Sequence, residues 1–224
     1  MLEIIAMTLE DAKTIEECGA DRIELVSALT EGGLTPSYAI IESVVKSVKI
    51  PVNVIVRHHA KSFNYSNEEV DLMIRDIEII KSLGANGIVL GLLDGQNQIE
   101  EQQLKQLLNV CNGLEVTFHK AIDETNVLES VQTLSKYPQI TNILTAGGLN
   151  HITKNGDVIK QMIAKSGHIN VLLGGGLTLD NFNLIKTETG ATDFHFGTAV
   201  RINKSPFGEI DKQELLRLVN LAKK

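Results

Sequence analysis

Short apolar runs alternate with longer amphipathic ones along the whole chain. The short runs fall at Leu2–Ala6, Arg22–Val26, Val52–Val56, Gly87–Leu90, Glu115–Phe118, Asn142–Leu144, Val171–Leu173 and Asp193–Phe196, each followed by a turn. Runs of this length and apolar content predict strands. The intervening segments have helical spacing. Asn67–Leu83 is the clearest: Val70, Ile74, Ile77 and Leu83 form a stripe with charges on the other side, and Ser66 before Glu69 has capping-box spacing. Leu104–Val110, Val127–Leu134, Val158–Ile163, Phe182–Ile185 and Leu215–Leu221 repeat the pattern. Glycines close helical segments in ECGAD, SLGAN and KSGH, where a left-handed residue ends a helix without a Cβ clash.

Eight such units in 224 residues predict an α/β fold, a TIM (β/α)8 barrel occupying residues 1–224 as a single domain. Each parallel strand needs a crossover, and closing the sheet removes its edges. An open doubly wound sheet is the competing architecture. The barrel is preferred because no GxGxxG follows the first strand, whereas the last two turns are glycine-rich in the manner of barrels.

A formal charge of -7 with scattered Lys and Arg argues against a nucleic-acid partner. No apolar run reaches the ~18 residues that span a bilayer, and MLEIIAMTLED does not read as a secretory leader, so the expected location is cytoplasmic, with no membrane partner. The two cysteines, Cys18 and Cys111, lie far apart without CxxC or CxH spacing, which signals neither a disulfide framework nor a zinc module.

Strand parity organises the candidate chemistry, since residues two apart share a face. In GADRIELVSALTEGGLTPS, Arg22 and Glu24 project together, opposite Ile23 and Leu25. Charges inside an apolar strand require either a partner or a site. For Arg22 a structural ion pair is the plain reading; Glu24, next to the turn, is a site candidate. Asn53, Ile55 and Arg57 share a face, as do Glu115, Thr117 and His119, with Asp123 in the following loop. His195 alternates with Phe194 and Phe196. One acid, one guanidinium and two imidazoles are therefore expected at the C-terminal mouth, where such barrels place their chemistry. A carboxylate there can accept a proton, and histidine can shuttle one near neutral pH. His58 and His59 share a polar loop with Lys61 and are read as solvated or as a subunit contact.

Glycine supplies the second constellation. LLGGGLT places Gly175 and Gly176 after the seventh strand, FGTAV places Gly197 and Thr198 after the eighth, and ILTAGG adds Thr145, Gly147 and Gly148. Glycine lets successive backbone amides approach an anion, so these loops predict an anion or phosphate site.

Together GADRIEL with EGGLTPS, IPVNVIVR, FNYS, TFHKAID and ILTAGG resemble the CutC family, the copper homeostasis proteins, over essentially the whole chain. The resemblance implies a TIM barrel, a cytoplasmic location, a homo-oligomer and, by the family's name, copper. Many members carry cysteine near the end of the first strand and directly after the Glu-Leu of the second. This chain has Ile5, Ala6 and Val26 there. Soft thiolates select Cu(I), so copper as a bound ion is not expected from these positions, and no metal ligand is assigned. An Arg-Pro-Arg segment usual after the third strand is reduced to Arg57 in RHHAKS, and Lys120 stands where arginine is usual. The alternative expectation is an enzyme with lyase- or isomerase-like acid–base chemistry on a small anionic metabolite, phosphorylated or not. Glu24, Arg57, His119 and Asp123 are its catalytic candidates. Thr145, Gly147, Gly148, Gly175, Gly176, His195, Gly197 and Thr198 are its binding candidates.

Overall fold

The structure, a computed structural model, describes residues 1–223. Eight strands, β1 (Leu2–Ala6), β2 (Arg22–Leu25), β3 (Val52–Ile55), β4 (Gly87–Leu90), β5 (Glu115–Phe118), β6 (Ile140–Thr145), β7 (Asn170–Leu173) and β8 (Asp193–Phe196), pair in parallel and in chain order. The eighth returns to the first, with Glu3 opposite His195, and closes a TIM (β/α)8 barrel. Helices α1 (Leu9–Cys18), α2 (Tyr38–Ser47), α3 (Asn67–Ser82), α4 (Glu101–Val110), α5 (Val127–Leu134), α6 (Gly156–Lys165), α7 (Leu179–Thr189) and α8 (Lys212–Ala222) link successive strands or follow the last. No helix among the described residues is long and apolar enough to cross a membrane.

Local signals behave as chemistry dictates. Ser66 and Glu69 form a reciprocal capping box at the start of α3. Gly19 closes α1 at φ 82°, its amide returning to the Glu16 and Ile15 carbonyls. The buried stripe of α3 is Val70, Met73, Ile77 and Ile80, with Ile74 and Leu83 half-buried at its flanks. Residues 73 and 80 complete the i, i+3, i+7 face that the sheet covers.

Two layers of opposite character result from strand parity. Ile4, Ile23, Leu25, Val52, Val54, Ile88, Val116 and Phe118 point outwards and pack under the helices. Their neighbours on the inward face include Glu3, Arg22, Glu24, Asn53, Thr117 and Asn142, all buried. The barrel interior is thus polar towards its base, with a small apolar cluster of Ile5, Val26, Ile55 and Val89 above, and the main apolar core lies between sheet and helices. Burying so many polar groups requires that they satisfy one another.

Candidate active site at the barrel mouth

A chain of charges runs up the barrel axis. At the base, Arg22 Nε donates to Glu3 Oε2 at 2.6 Å and its Nη1 to the half-exposed Glu115 at 2.9 Å. The other Glu3 oxygen takes a hydrogen bond from His195 Nδ1 at 2.8 Å, and His195 Nε2 lies 3.6 Å from Glu24 Oε2. Burial alone would raise the Glu3 carboxyl, but the His195 bond and the Arg22 charge outweigh it and hold it below the ordinary carboxylate range. Burial likewise opposes protonation of His195, yet the Glu24 and Glu3 carboxylates raise its pKa.

Glu24 ends this chain. Desolvation pushes its pKa from 4.5 up to about 7, assisted by the Glu3 charge and moderated by His195. Arg22 is already ion-paired to Glu3 and Glu115, and Glu3 also holds His195, so the only basic group within 4 Å of the Glu24 carboxyl among the described residues is the His195 ring. A carboxyl with its pKa near operating pH can both take and return a proton.

Above it opens a cavity of about 400 Å³ lined by Glu24, Arg57, His119 and His195 together with Ile5, Ile55, Phe63 and Leu144. Arg57 follows β3 and lies across the turn after β2: its Nη1 donates to the Glu31 and Gly33 carbonyls at 2.6 and 3.1 Å. Its guanidinium carbon is 4.9 Å from the centre of the Phe63 ring. Among the described residues it pairs with no carboxylate, which leaves a buried cation in need of an anion.

His119, at the end of β5, has a defined tautomer. Its Nδ1 accepts the Ala121 N–H at 3.1 Å, so in the neutral ring the proton sits on Nε2, which is buried without a partner. Burial and the Arg57 charge lower its pKa to about 3, keeping it neutral. The ring fits because residue 91 is glycine: a Cβ there would stand 2.4 Å from Nδ1.

Lys120, His151 and Lys204 also line the cavity, as do Gly175, Gly176, Gly197 and Thr198. Gly175 and Gly176 have φ of 88° and 94°, a region closed to most side chains. A Cβ on Gly175 would lie 2.6 Å from Lys120 Nζ, and one on Gly176 would lie 3.0 Å from His151 Nε2. Glycine here lets the backbone pass beneath two nitrogen donors.

Asp123 and the loop after β6 depart from the expectation. The Asp123 carboxylate accepts from Thr145 Oγ1 at 2.5 Å, from Ala146 N at 3.0 Å and from Gly148 N at 3.0 Å. It is a clamp on the ILTAGG loop rather than a group aimed at the inner cavity. In this loop the Ala146 and Gly148 amides are taken by this internal anion, and the Gly147 amide donates to Thr145 Oγ1. Thr145 points to the helical layer, against Met162, because the inward positions of β6 are Asn142 and Leu144. Gly147 packs on Asn155 and Ile159. Gly148, with Asp123, reaches only an outer vestibule of about 640 Å³, which shares Arg57, Lys120 and His151 with the inner cavity. His58 is exposed, whereas His59 sits 3.3 Å from Glu69.

A family model described as the CutC family matches residues 1–200. The chain belongs to the CutC family. It is 38% identical over 200 residues to the copper homeostasis protein cutC homolog of Homo sapiens, covering 87% of this chain and 72% of that one. It is 34% identical over 210 residues to the family protein CutC of Pasteurella multocida, covering 92% and 85%. The solved CutC structure from Streptococcus agalactiae superposes with a TM-score of 0.82 at 31% identity, covering 88% of this chain and 97% of the other. Phosphoribosyl anthranilate isomerase from Thermococcus kodakaraensis, at TM-score 0.66 and 15% identity over 100% and 98% of the chains, shares the fold alone.

Neither thiol of this CutC chain lines the mouth cavity. Cys18 ends α1 facing the Lys212 carbonyl, and Cys111 caps α4 with its Sγ 3.0 Å from the Leu107 carbonyl oxygen. Both are buried, and desolvation raises both pKa values, that of Cys111 to about 12. A thiol so protonated is a poor soft ligand. Among the described residues no three His, Cys, Asp or Glu side chains are grouped to hold a metal ion.

Proposed function

We propose that this CutC chain is an acid–base enzyme acting on a small anionic metabolite, with Glu24 as the proton carrier. The observation that carries this reading is the placement of Glu24, with a pKa near 7, on the wall of the same cavity as two imidazoles whose pKa values are shifted in opposite directions. Titratable groups whose environments drive their pKa values apart mark acid and base assignments. His195, tethered by Glu3, lies beside Glu24 and, when protonated, favours the ionised acid.

The preference for an anion follows from charge. Arg57, Lys120 and Lys204 face a cavity whose one wall carboxylate is held near half-ionisation, and the glycine turn after β7 brings backbone close to Lys120 and His151. Such a concave, mostly apolar chamber with a few convergent polar groups suits a small molecule. Copper handling is what the relatives' names describe; the thiols of this chain, buried away from the mouth cavity, do not favour it here.

Thermal unfolding with 2-phosphoglycolate and with inorganic phosphate tests the proposal. Both ligands are expected to raise Tm of the parent protein, and R57A is expected to remain folded and lose the shift. An unshifted Tm for the parent, or equal shifts in R57A, E24A and H119A, refutes an anion site at the mouth.

A further inference from the structure

We infer that the mouth is an enolisation site for a small phosphorylated α-hydroxy carbonyl compound: Glu24 removes a proton from the carbon beside the carbonyl, and His119 Nε2–H donates a hydrogen bond to the carbonyl oxygen. This rests on the acid–base reading of the same cavity and gives it a substrate class and a second catalytic residue.

His119 carries the argument. Its acceptor nitrogen is fixed by the Ala121 amide, so the free nitrogen is a donor, and that donor is buried with no partner among the described residues. An orphaned buried N–H bears a desolvation penalty that a ligand oxygen would relieve. The ring cannot easily turn away. Gly91 provides its seat on one side, with room for no Cβ, and the Phe63 ring lies 4.9 Å away, centre to centre. A donor held in place before the reaction is what stabilises charge developing on an oxygen. Its low pKa, a result of burial and the Arg57 charge, keeps it a neutral donor across the physiological range.

A neutral imidazole that already accepts a backbone amide cannot serve as a base through Nδ1, and a carboxyl with a pKa near 7 is matched to moving a proton reversibly. Proton abstraction beside a carbonyl needs only these two elements, a base and a neutral donor to the oxygen. The C–H bond breaks and an O–H bond forms on Glu24; the C–H electron pair becomes the C=C bond, and the carbonyl electrons move to the oxygen held by His119. Return of the proton to the same carbon gives exchange. Return to the neighbouring carbon, with the hydroxyl proton passing to the first oxygen, gives the isomeric carbonyl compound. No oxidant or co-reactant enters.

The phosphate has its own place in the same chamber. Lys120 Nζ and His151 Nε2 lie over Gly175 and Gly176, whose left-handed backbone exposes peptide edges where side chains would otherwise stand. Lys204 adds a second ammonium to that lining. The chamber of about 400 Å³ accommodates a molecule of a few carbons with one phosphate.

The test is hydrogen exchange in D2O, followed by proton NMR, with glyceraldehyde 3-phosphate, dihydroxyacetone phosphate and ribulose 5-phosphate as probes. The full chain is expected to wash deuterium into the carbon beside the carbonyl of at least one probe. E24Q is expected to slow this ~100-fold or more, and H119N ~100-fold, with 2-phosphoglycolate still raising Tm in H119N. Should H119N not fold, the wild-type protein decides: adding phosphoglycolohydroxamate, a stable enediolate mimic, should move the His119 Nε2 proton resonance downfield. Parent exchange no faster than in E24Q for all three probes overturns the enolisation assignment, as does an unmoved resonance or undiminished exchange in H119N. If 2-phosphoglycolate raises Tm of the parent in that case, the anion-binding reading survives alone; if it does not, both fall.

Discussion

Replacing Glu24 with glutamine removes one ionisable group while keeping its shape, and the consequence for stability can be worked out from the charge arrangement. In the unfolded chain the carboxyl titrates near 4.5; in the barrel, desolvation holds its pKa at about 7. Between these values the folded state retains a proton that the unfolded state has lost. Stability therefore falls as pH rises through this window, by about 1.4 kcal/mol per pH unit at full difference. From pH 5 to pH 6.5 the accumulated loss is about 2 kcal/mol. Below pH 4.5 both states are protonated and the penalty vanishes; above 7 both are ionised and it stays constant. His195 has a raised folded pKa, so its own stabilising contribution is complete below the unfolded value near 6.5 and lost only above it. The lower window therefore belongs to Glu24. Urea unfolding of wild type and E24Q at half-unit steps from pH 5 to 8 supplies the difference curve, in which other carboxyls such as Asp123 cancel. E24Q should gain on the parent by about 2 kcal/mol between pH 5 and 6.5; above that range His195, which loses the Glu24 charge in the variant, adds its own contribution to the difference. A difference constant across that range would show that Glu24 is ionised throughout, and the assignment of a poised acid would fail.

Asp123→Asn should destabilise the protein by about 2 kcal/mol without abolishing anion binding at the inner cavity, because a carboxylate accepting three hydrogen bonds is exchanged for a group with one acceptor oxygen. Urea unfolding reads the stability, and an unchanged midpoint would mean that the ILTAGG loop is held by other contacts. Titration calorimetry with Cu(I) under reducing conditions should show no submicromolar binding that depends on Cys18 and Cys111; such binding, lost in a C18S/C111S double variant, would return the thiols to the centre of the chemistry.

Period-two reading found the mouth residues because a strand fixes direction without reference to its neighbours. Glu24, Arg57, His119 and His195 each follow from position within one short run, and all four line one cavity. The same rule, applied to LEIIA, would have singled out Glu3 as an acid in an apolar strand; its role is to anchor His195 from below. Thr145 and Asp123 could not be placed by that rule. The inward face of β6 falls on even-numbered residues, while the pairing register shifts between Val116 and Thr117 on β5, so Thr145 turns outwards to meet Asp123. An amide-rich glycine loop looks like an anion site in sequence whether its anion is a ligand or a side chain of the same protein. Lys120, His151 and Lys204 gave no periodic signal because they stand in or at the start of single 3-10 turns, too short to show a period, whose course depends on what they pack against.

The sequence by itself determined the alternation of strand and helix, the closing glycines, the capping box, and which strand residues point together, since all of these arise from contacts within a few residues. Its motifs also sufficed to place the chain among CutC proteins. Only the closed barrel decided charge state. Glu3 and Glu24 are both acids in short apolar strands, yet one is held ionised between Arg22 and His195 and the other is pushed to about 7 above them. That difference depends on which groups from β1, β2, β5 and β8 meet across the axis, and on how much water the barrel excludes. Neither quantity is local to any segment of the chain.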